Sequence, residues 1–366
     1  MDLYLFLEKF GLILVIFGIT MGVALYSTLA ERKVAAFMQD RPGPNRAGWG
    51  GVLQPLADGV KMFTKEDFIP NTPNRFLFIL GPGLFIVTAL MTSAVVPWAS
   101  TISLFGRIIP IQVADINVAV LYVFGVVSIG VYGIMIGGWA SNNKFGLMGA
   151  VRASSQMISY EVAMGLSIIA VLMMTGSLSL KTITEQQHGF ITWNAQGHFE
   201  WLSWNVFKQP VAFFIFLICA FAETNRTPFD LPECESELVG GYHTEYSSMK
   251  LGFYLFAEYI NMFLSSALIS IIFFGGYNYP GMDGVRSHLV HWLGVVGWDL
   301  ATAIEFGVLF GKIIFFIFFY MWVRWTVPRF RYDQLMNLGW KRLIPIAIAN
   351  IVVTGGVILL YQKYIA

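Results

Sequence analysis

The sequence predicts an all-α polytopic membrane protein. It is expected to have about eight transmembrane helices, an amphipathic interfacial helix and structured cytoplasmic loops, in one integral membrane domain over residues 1–366. Three observations carry this prediction. Of the 366 residues, 56% are hydrophobic and 12% charged, whereas soluble domains carry about 25% charge. Mean hydropathy is +0.65. The apolar residues also fall into blocks of about twenty, the length a helix needs to cross hydrocarbon.

Eight blocks qualify, at residues 3–29, 76–98, 113–139, 153–175, 206–222, 251–274, 300–325 and 343–361. The fifth is short and contains Pro210, so it is the weakest. No small-x-small cleavage pattern follows the first block, which is expected to remain as a span. Lys and Arg fix the orientation. The loops after the first, third, fifth and seventh blocks, counted with the span ends beside them, hold 16 of them, the remaining loops, span ends and termini 6, and Lys312 lies inside a span. The basic side is therefore expected to be cytoplasmic in a bacterium, with both termini opposite. The polar segment after the first block contains an amphipathic stretch at about residues 52–65: Leu53, Leu56, Val60 and Phe63 step by three and four, with Gln54, Asp58, Lys61 and Lys65 on the complementary face. Such a helix lies in the interface plane, either as a surface anchor or as one wall of a cavity.

Ionisable residues inside spans cost about 2.5–3.5 kcal/mol each on insertion scales, which makes Glu161, Glu258, Glu305 and Lys312 conspicuous, with Asp115 and Glu223 near span ends. Glu258, Asn261 and Ser265 are spaced i, i+3, i+7, giving the sixth span a polar face. These groups suit a proton relay, the alternative being helix–helix hydrogen bonding. Glu305 and Lys312, also i, i+7, are expected to cancel one another's charge on the seventh span. The stretch at about residues 223–250 is acidic, with Glu223, Asp230, Glu233, Glu235, Glu237 and Glu245 against Arg226. Asp230 and Glu233 have capping-box spacing, Pro232 suits a first turn and Gly240-Gly241 would end the helix. Clustered carboxylates raise one another's pKa, so this segment can hold protons near neutrality, or bind a basic patch on a partner. Two basic segments, one around Arg41-Pro-Gly-Pro-Asn45 and one at Pro328-Arg-Phe-Arg-Tyr-Asp333, fit partner docking or membrane-surface charge equally.

Several classes are excluded. A net charge of +1 lacks the basic footprint of a nucleic-acid binder. Two cysteines, Cys219 and Cys234, fall short of the roughly four that a cluster needs. No glycine-rich dinucleotide or Walker motif occurs. His288 and His291 have no clear third ligand, so no metal is expected.

Taken together, the loop strings resemble one family. They include Glu31-Arg-Lys33, Gln39-Asp-Arg-Pro-Gly-Pro44, Leu53-Gln-Pro-Leu-Ala-Asp58, Lys61-Met-Phe-Thr-Lys-Glu66, Ile158-Ser-Tyr-Glu-Val162, Ala222-Glu-Thr-Asn-Arg-Thr-Pro-Phe-Asp-Leu231, Glu235-Ser-Glu-Leu-Val239, Ala257-Glu-Tyr259 and Pro328-Arg-Phe-Arg-Tyr-Asp-Gln-Leu-Met336. Nearly the whole chain is similar, in order, to the H / 1 family of membrane-arm subunits of respiratory complex I, the proton-pumping NADH–quinone oxidoreductase. The resemblance implies a subunit that forms the quinone tunnel and couples quinone reduction to proton transport, catalytic only within the assembly. It implies ubiquinone or menaquinone as substrate, with flavin and iron–sulfur clusters in partner subunits. The partners implied are the peripheral-arm subunits of the quinone site, neighbouring membrane-arm subunits and lipid, in a bacterial inner membrane. By matching positions it implies Arg32, Arg41, Asp58, Arg226, Phe229 and Arg324 for quinone binding. For proton coupling it implies Asp58, Glu161, Glu223, Glu233, Glu235, Glu245 and Glu258. Cys234 stands where the family often has glycine, and residues 181–208 are longer than in compact members. The alternatives are an independent secondary transporter, a structural anchor for the peripheral arm, and the related membrane subunit of an energy-converting hydrogenase.

Overall fold

The computed structural model describes residues 3–70, 74–104, 107–187, 192–193, 199–200, 203–231 and 238–364. In chain order the helices are α1 (Leu3–Met38), α2 (Gln54–Thr64), α3 (Arg75–Thr92), α4 (Ala119–Ala140), α5 (Lys144–Thr175), α6 (Leu180–Glu185), α7 (Asn205–Lys208), α8 (Pro210–Glu223), α9 (Ser248–Phe273), α10 (Met282–Leu293), α11 (Val295–Thr326), α12 (Tyr332–Asn337) and α13 (Ile344–Tyr364). A π-helical turn at Leu338–Leu343 joins α12 to α13. Among the described residues, seven helices are long and apolar enough to cross a membrane: α1, α3, α4, α5, α9, α11 and the α12–α13 rod. The eighth expected span is α8, apolar but only 14 residues long. At 1.5 Å per residue it measures about 21 Å, short of a hydrocarbon core of about 30 Å.

Local chemistry sets the helix ends. Asn74 caps α3 by accepting from the backbone N–H groups of Phe76 and Leu77, and Asn143 caps α5 by accepting from Phe145 N at 2.9 Å. Pro210 occupies the first turn of α8, where its missing N–H costs nothing. Gly176 ends α5 with φ +65°, a conformation open to glycine.

The core forms around α9, which packs against α1, α2, α3, α8 and α11. α3 and α4 approach most closely where Gly81 faces Gly133 and Gly137. A Cβ on Gly137 would stand 1.9 Å from the Tyr254 hydroxyl oxygen. By contrast α13 buries only Ala347 and Thr354, and most of its apolar surface faces outward.

Contacts sort the connecting segments into two ends, as the alternation of basic and poorly basic loops predicts. At one end Asn143 meets Glu245, Ser247 meets Glu66 and Arg329 meets Asp230. At the other Lys9 meets Gln112, Lys181 meets Asp115, and a hairpin of β1 (Thr101–Leu104) and β2 (Arg107–Pro110) is held to α11 by Asp299. The expected Glu305–Lys312 pair does not form. Glu305, fully buried, accepts from Ser100 N at 3.0 Å and lies 3.6 Å from Arg286 of α10. Lys312 donates to the carbonyls of Phe274, Gly276 and Asn278 at 2.8, 2.7 and 2.7 Å. Helical spacing put the two on one face, but each found better geometry on a neighbouring element.

Candidate functional site

The amphipathic stretch is helical, as expected, and its two faces divide the work. Leu53, Leu56, Val60 and Phe63 are exposed, so the apolar stripe points away from the body. The opposite side, with Pro55, Asp58, Gly59 and Met62, lines a cavity of about 420 Å³, and Phe63 at the edge of the stripe also reaches it. Its other walls are Met21, Leu25, Thr28 and Arg32 of α1, Ile86 of α3, and Phe253, Phe256 and Tyr259 of α9. The lining is mostly aliphatic, aromatic and methionine, with Arg32 and Asp58 its charged members. These two form an ion pair of 2.7 Å, and Gln54 donates to Asp58 Oδ1 at 3.2 Å. α2 is also tied to the start of α9. Ser248 Oγ donates to Met62 O at 3.0 Å, Ser247 Oγ to Glu66 O at 2.9 Å, and Lys250 Nζ to both carboxylate oxygens of Asp67 at 2.8 Å.

Beside this cavity is a charge cluster. Glu31 Oε2 accepts from Arg226 Nη1 at 2.9 Å and from the Tyr259 hydroxyl at 2.9 Å, while Glu31 Oε1 pairs with Arg324 Nη1 at 2.6 Å. The Arg226 guanidinium lies over the Tyr259 ring at 4.3 Å, and Nε and Nη2 are buried with no hydrogen-bond partner among the described residues. Burial opposes the Arg226 charge, but Glu31, Tyr259 and Glu258 together outweigh it and hold the group above its ordinary pKa. Thus Arg226 and Arg324, far apart in sequence, meet on one carboxylate, and Tyr259 joins that cluster to the cavity wall.

The remaining acids sit deeper. Glu258 accepts from the Tyr242 hydroxyl at 2.9 Å. Tyr242 and Tyr246 pack edge-on against Tyr254, and the Tyr246 hydroxyl reaches the carbonyls of Phe78 and Gly137. Burial pushes the Tyr246 phenol above its ordinary value. Glu161 accepts a short hydrogen bond from Ser128. Glu223, the last residue of α8, faces a small cavity of about 30 Å³. Glu245 accepts from Asn143 at 2.6 Å. Phe229 is buried between Tyr160 and Phe330, and its carbonyl accepts from Gln156 at 2.9 Å.

The structure therefore brings Arg32 and Asp58 to one cavity, Arg226 and Arg324 to its flank, and Glu161, Glu223 and Glu258 into the helix bundle. Arg41 stands apart on an exposed loop, its Nε donating to Gln39 at 2.7 Å. Glu233 and Glu235, with most of the expected short acidic helix, lie outside the described residues. Sequence reasoning passed over Glu31, Tyr242, Tyr259 and Gln156. Glu31 was hidden by ending the first span at residue 29. It continues the buried stripe of Thr20, Ala24 and Ser27, at 0, 0 and 4% exposure, and that spacing could have exposed it.

Comparison with known proteins bears on this geometry. The family model described as NADH dehydrogenase matches residues 10–355. The chain is 66% identical over 353 residues to the H subunit of NADH-quinone oxidoreductase from Flavobacterium johnsoniae, covering 96% of this chain and 95% of the relative. It is 66% identical over 362 residues to the corresponding H subunit of Flavobacterium psychrophilum, covering 99% and 100%. With the H 1 subunit of Cytophaga hutchinsonii it shares 60% over 357 residues, covering 97% and 98%.

Proposed function

Because the chain belongs to the H-subunit family of NADH-quinone oxidoreductase, the multi-pass membrane component of complex I, we propose that its α1–α2–α9 cavity receives quinone from the bilayer of a bacterial inner membrane and that its carboxylates convey the result. The observation that carries this reading is the 420 Å³ cavity with apolar walls, the Arg32–Asp58 pair on its lining and the Glu31–Arg226–Arg324 cluster at its flank. Ligand sites have this make-up: a mostly apolar concavity with a few placed polar groups that fix orientation. Quinone has an apolar tail and a polar head, and the two parts of the lining suit each.

In this reading α2 and α9 wall the chamber, Arg32 and Asp58 line it, Arg226 and Arg324 flank it, Phe229 packs between Tyr160 and Phe330 behind Arg226, and Arg41 stands on the loop facing the peripheral arm. Flavin and iron–sulfur clusters belong to partner subunits of that arm, and neighbouring membrane-arm subunits receive the coupling. Two-electron reduction of quinone creates demand for protons at the head group. Two unit charges about 4 Å apart at an effective dielectric near 20 interact by about 4 kcal/mol, enough to change the protonation of a carboxylate. Asp58, Glu31 and Glu258 are placed to feel that change, and Glu161, Glu223, Glu245, Glu233 and Glu235 complete the set assigned to proton coupling.

The test is Gly252→Phe in the assembled enzyme. Gly252 lines the cavity, and the nearest atom to a Cβ there is Met249 Sδ at 3.8 Å, so the ring fills the chamber without a backbone clash. NADH–quinone activity should fall at least tenfold, while NADH–ferricyanide activity, which bypasses the chamber, stays. An assembled variant with full quinone reductase activity would remove the cavity from the quinone path.

A further inference from the structure

We infer that Asn261 is the positioning residue that joins the Glu223 side of the bundle to the Glu258 side, by holding water at the meeting point of two small cavities. The inference rests on the proton-coupling reading above.

The first cavity, about 30 Å³, is lined by Glu223, Asn261, Ser265 and Thr92 among apolar residues. The second, about 10 Å³, is lined by Thr88, Asn261, Gly130 and Met157 together with Phe85, Ala89 and Val127. A water needs roughly 10–15 Å³ of such space and two to four polar partners, so the first has room for about two waters and the second for at most one. Two residues line both cavities, Val127 and Asn261. Valine cannot hydrogen-bond, which leaves Asn261 as the polar group common to the two. Its amide both donates and accepts, and it carries no charge into the bilayer.

One bundle carboxylate lines the junction and the other two approach it along α9 and α4. Glu223 lines the larger cavity itself. Glu258 and Asn261 are i, i+3 on α9, so their side chains leave the helix as neighbours on one face. Glu161 takes its hydrogen bond from Ser128, the residue next to Val127 on α4. Ser265 extends the polar face one turn further and is hydrogen-bonded to the Tyr320 hydroxyl at 3.0 Å. The polar spacing of Glu258, Asn261 and Ser265 thus gains a purpose: Asn261 stands one turn from Glu258 on α9 and on the wall of the cavity that Glu223 lines.

The experiment compares Asn261→Leu with Asn261→Ser in the holoenzyme, reading protons pumped per NADH oxidised in membrane vesicles, with NADH–ferricyanide activity as the measure of assembly. Leucine keeps the branched shape, is somewhat bulkier and removes the hydrogen bonds. Serine keeps a hydroxyl and opens space for water. The inference expects at least a tenfold loss of pumping with leucine and most of it retained with serine. A residue that only packs gives the reverse order, and that order overturns the inference. Val127→Leu fills the same junction from the opposite wall without removing any polar group. It should also depress pumping, and full pumping in that variant counts against the inference even if Asn261→Leu fails to assemble. Glu223→Gln and Glu258→Gln separate this inference from the reading beneath it. If both abolish pumping while Asn261→Leu does not, this inference alone fails. If both pump normally, the proton-coupling reading fails.

Discussion

Glu31→Gln gives the sharpest test of how the cavity flank is held together. Glu31 and Arg226 are 5 and 4% exposed, with a 2.9 Å contact between them. Removing one partner of such a pair leaves the other charge uncompensated, at a cost of about 3–5 kcal/mol. The 2.6 Å contact to Arg324 adds less, because that side chain is 28% exposed and water screens it. A loss of about 1–2 kcal/mol already changes the abundance of a protein several-fold in cells, so Glu31→Gln should lower the amount of assembled complex at least tenfold. Glu31→Gln/Arg226→Gln removes the stranded cation as well, and neighbours in one network couple by about 0.5–3 kcal/mol. The double variant should therefore assemble better than Glu31→Gln alone. The assay is the content of intact complex on native gels, normalised to total membrane protein. If Glu31→Gln assembles normally, or if the second substitution only deepens the loss, the cluster is not the buried, mutually compensated unit described above.

Three further outcomes follow from the same geometry. Lys312→Met leaves the carbonyls of Phe274, Gly276 and Asn278 without their donor, at about 1–3 kcal/mol for each unsatisfied buried group. It should abolish assembly, with Lys312→Arg partly restoring it on native gels, and an assembled Lys312→Met complex refutes the capping role. Gly149→Ala would put a Cβ 2.7 Å from Gly241 Cα and Tyr242 N, overpacking worth about 1–3 kcal/mol. Since Tyr242 donates to Glu258, proton pumping should fall more than NADH–ferricyanide activity, and an equal fall in both argues against that link. Disrupting the mooring of α2 with Lys250→Met, which removes the bidentate contact to Asp67, should raise KM for a long-tailed quinone more than it lowers kcat.

What could be read from the sequence depended on whether a feature is local. Seven of the eight predicted blocks are long helices because twenty apolar residues in lipid have little choice: every backbone polar group must be satisfied within the segment. The eighth block, α8, was recognisable as apolar, but its length was set by Pro210 at one end and Glu223 at the other. The amphipathic helix was legible from its three-and-four spacing, yet the spacing alone left open which face would meet the protein. It is the side of Pro55, Asp58 and Met62, since the apolar stripe has somewhere better to go. Charge partners were the least legible. Glu305 and Lys312 share a helix face, but Arg286 and the carbonyls after α9 come from other elements, and no periodicity along α11 reports them. The same limitation hid Tyr242 and Tyr259, whose roles depend on where a loop and a helix cross.

α9 is fastened at both of its ends. At the start, Ser247, Ser248 and Lys250 hold it to the segment around α2. At the finish, the Ile271 and Ile272 carbonyls accept from Gln187 and Asn205, and Lys312 gathers the three that follow. Sliding this rod along its axis, or unwinding it from either terminus, would break these hydrogen bonds. The rod acts as the fixed datum of the molecule, and the heights of Glu258, Tyr259 and Asn261 in the bilayer are set against it. Adjustment to a change of charge is then cheapest in what surrounds it, by side-chain rotation and in the segment bearing Tyr242.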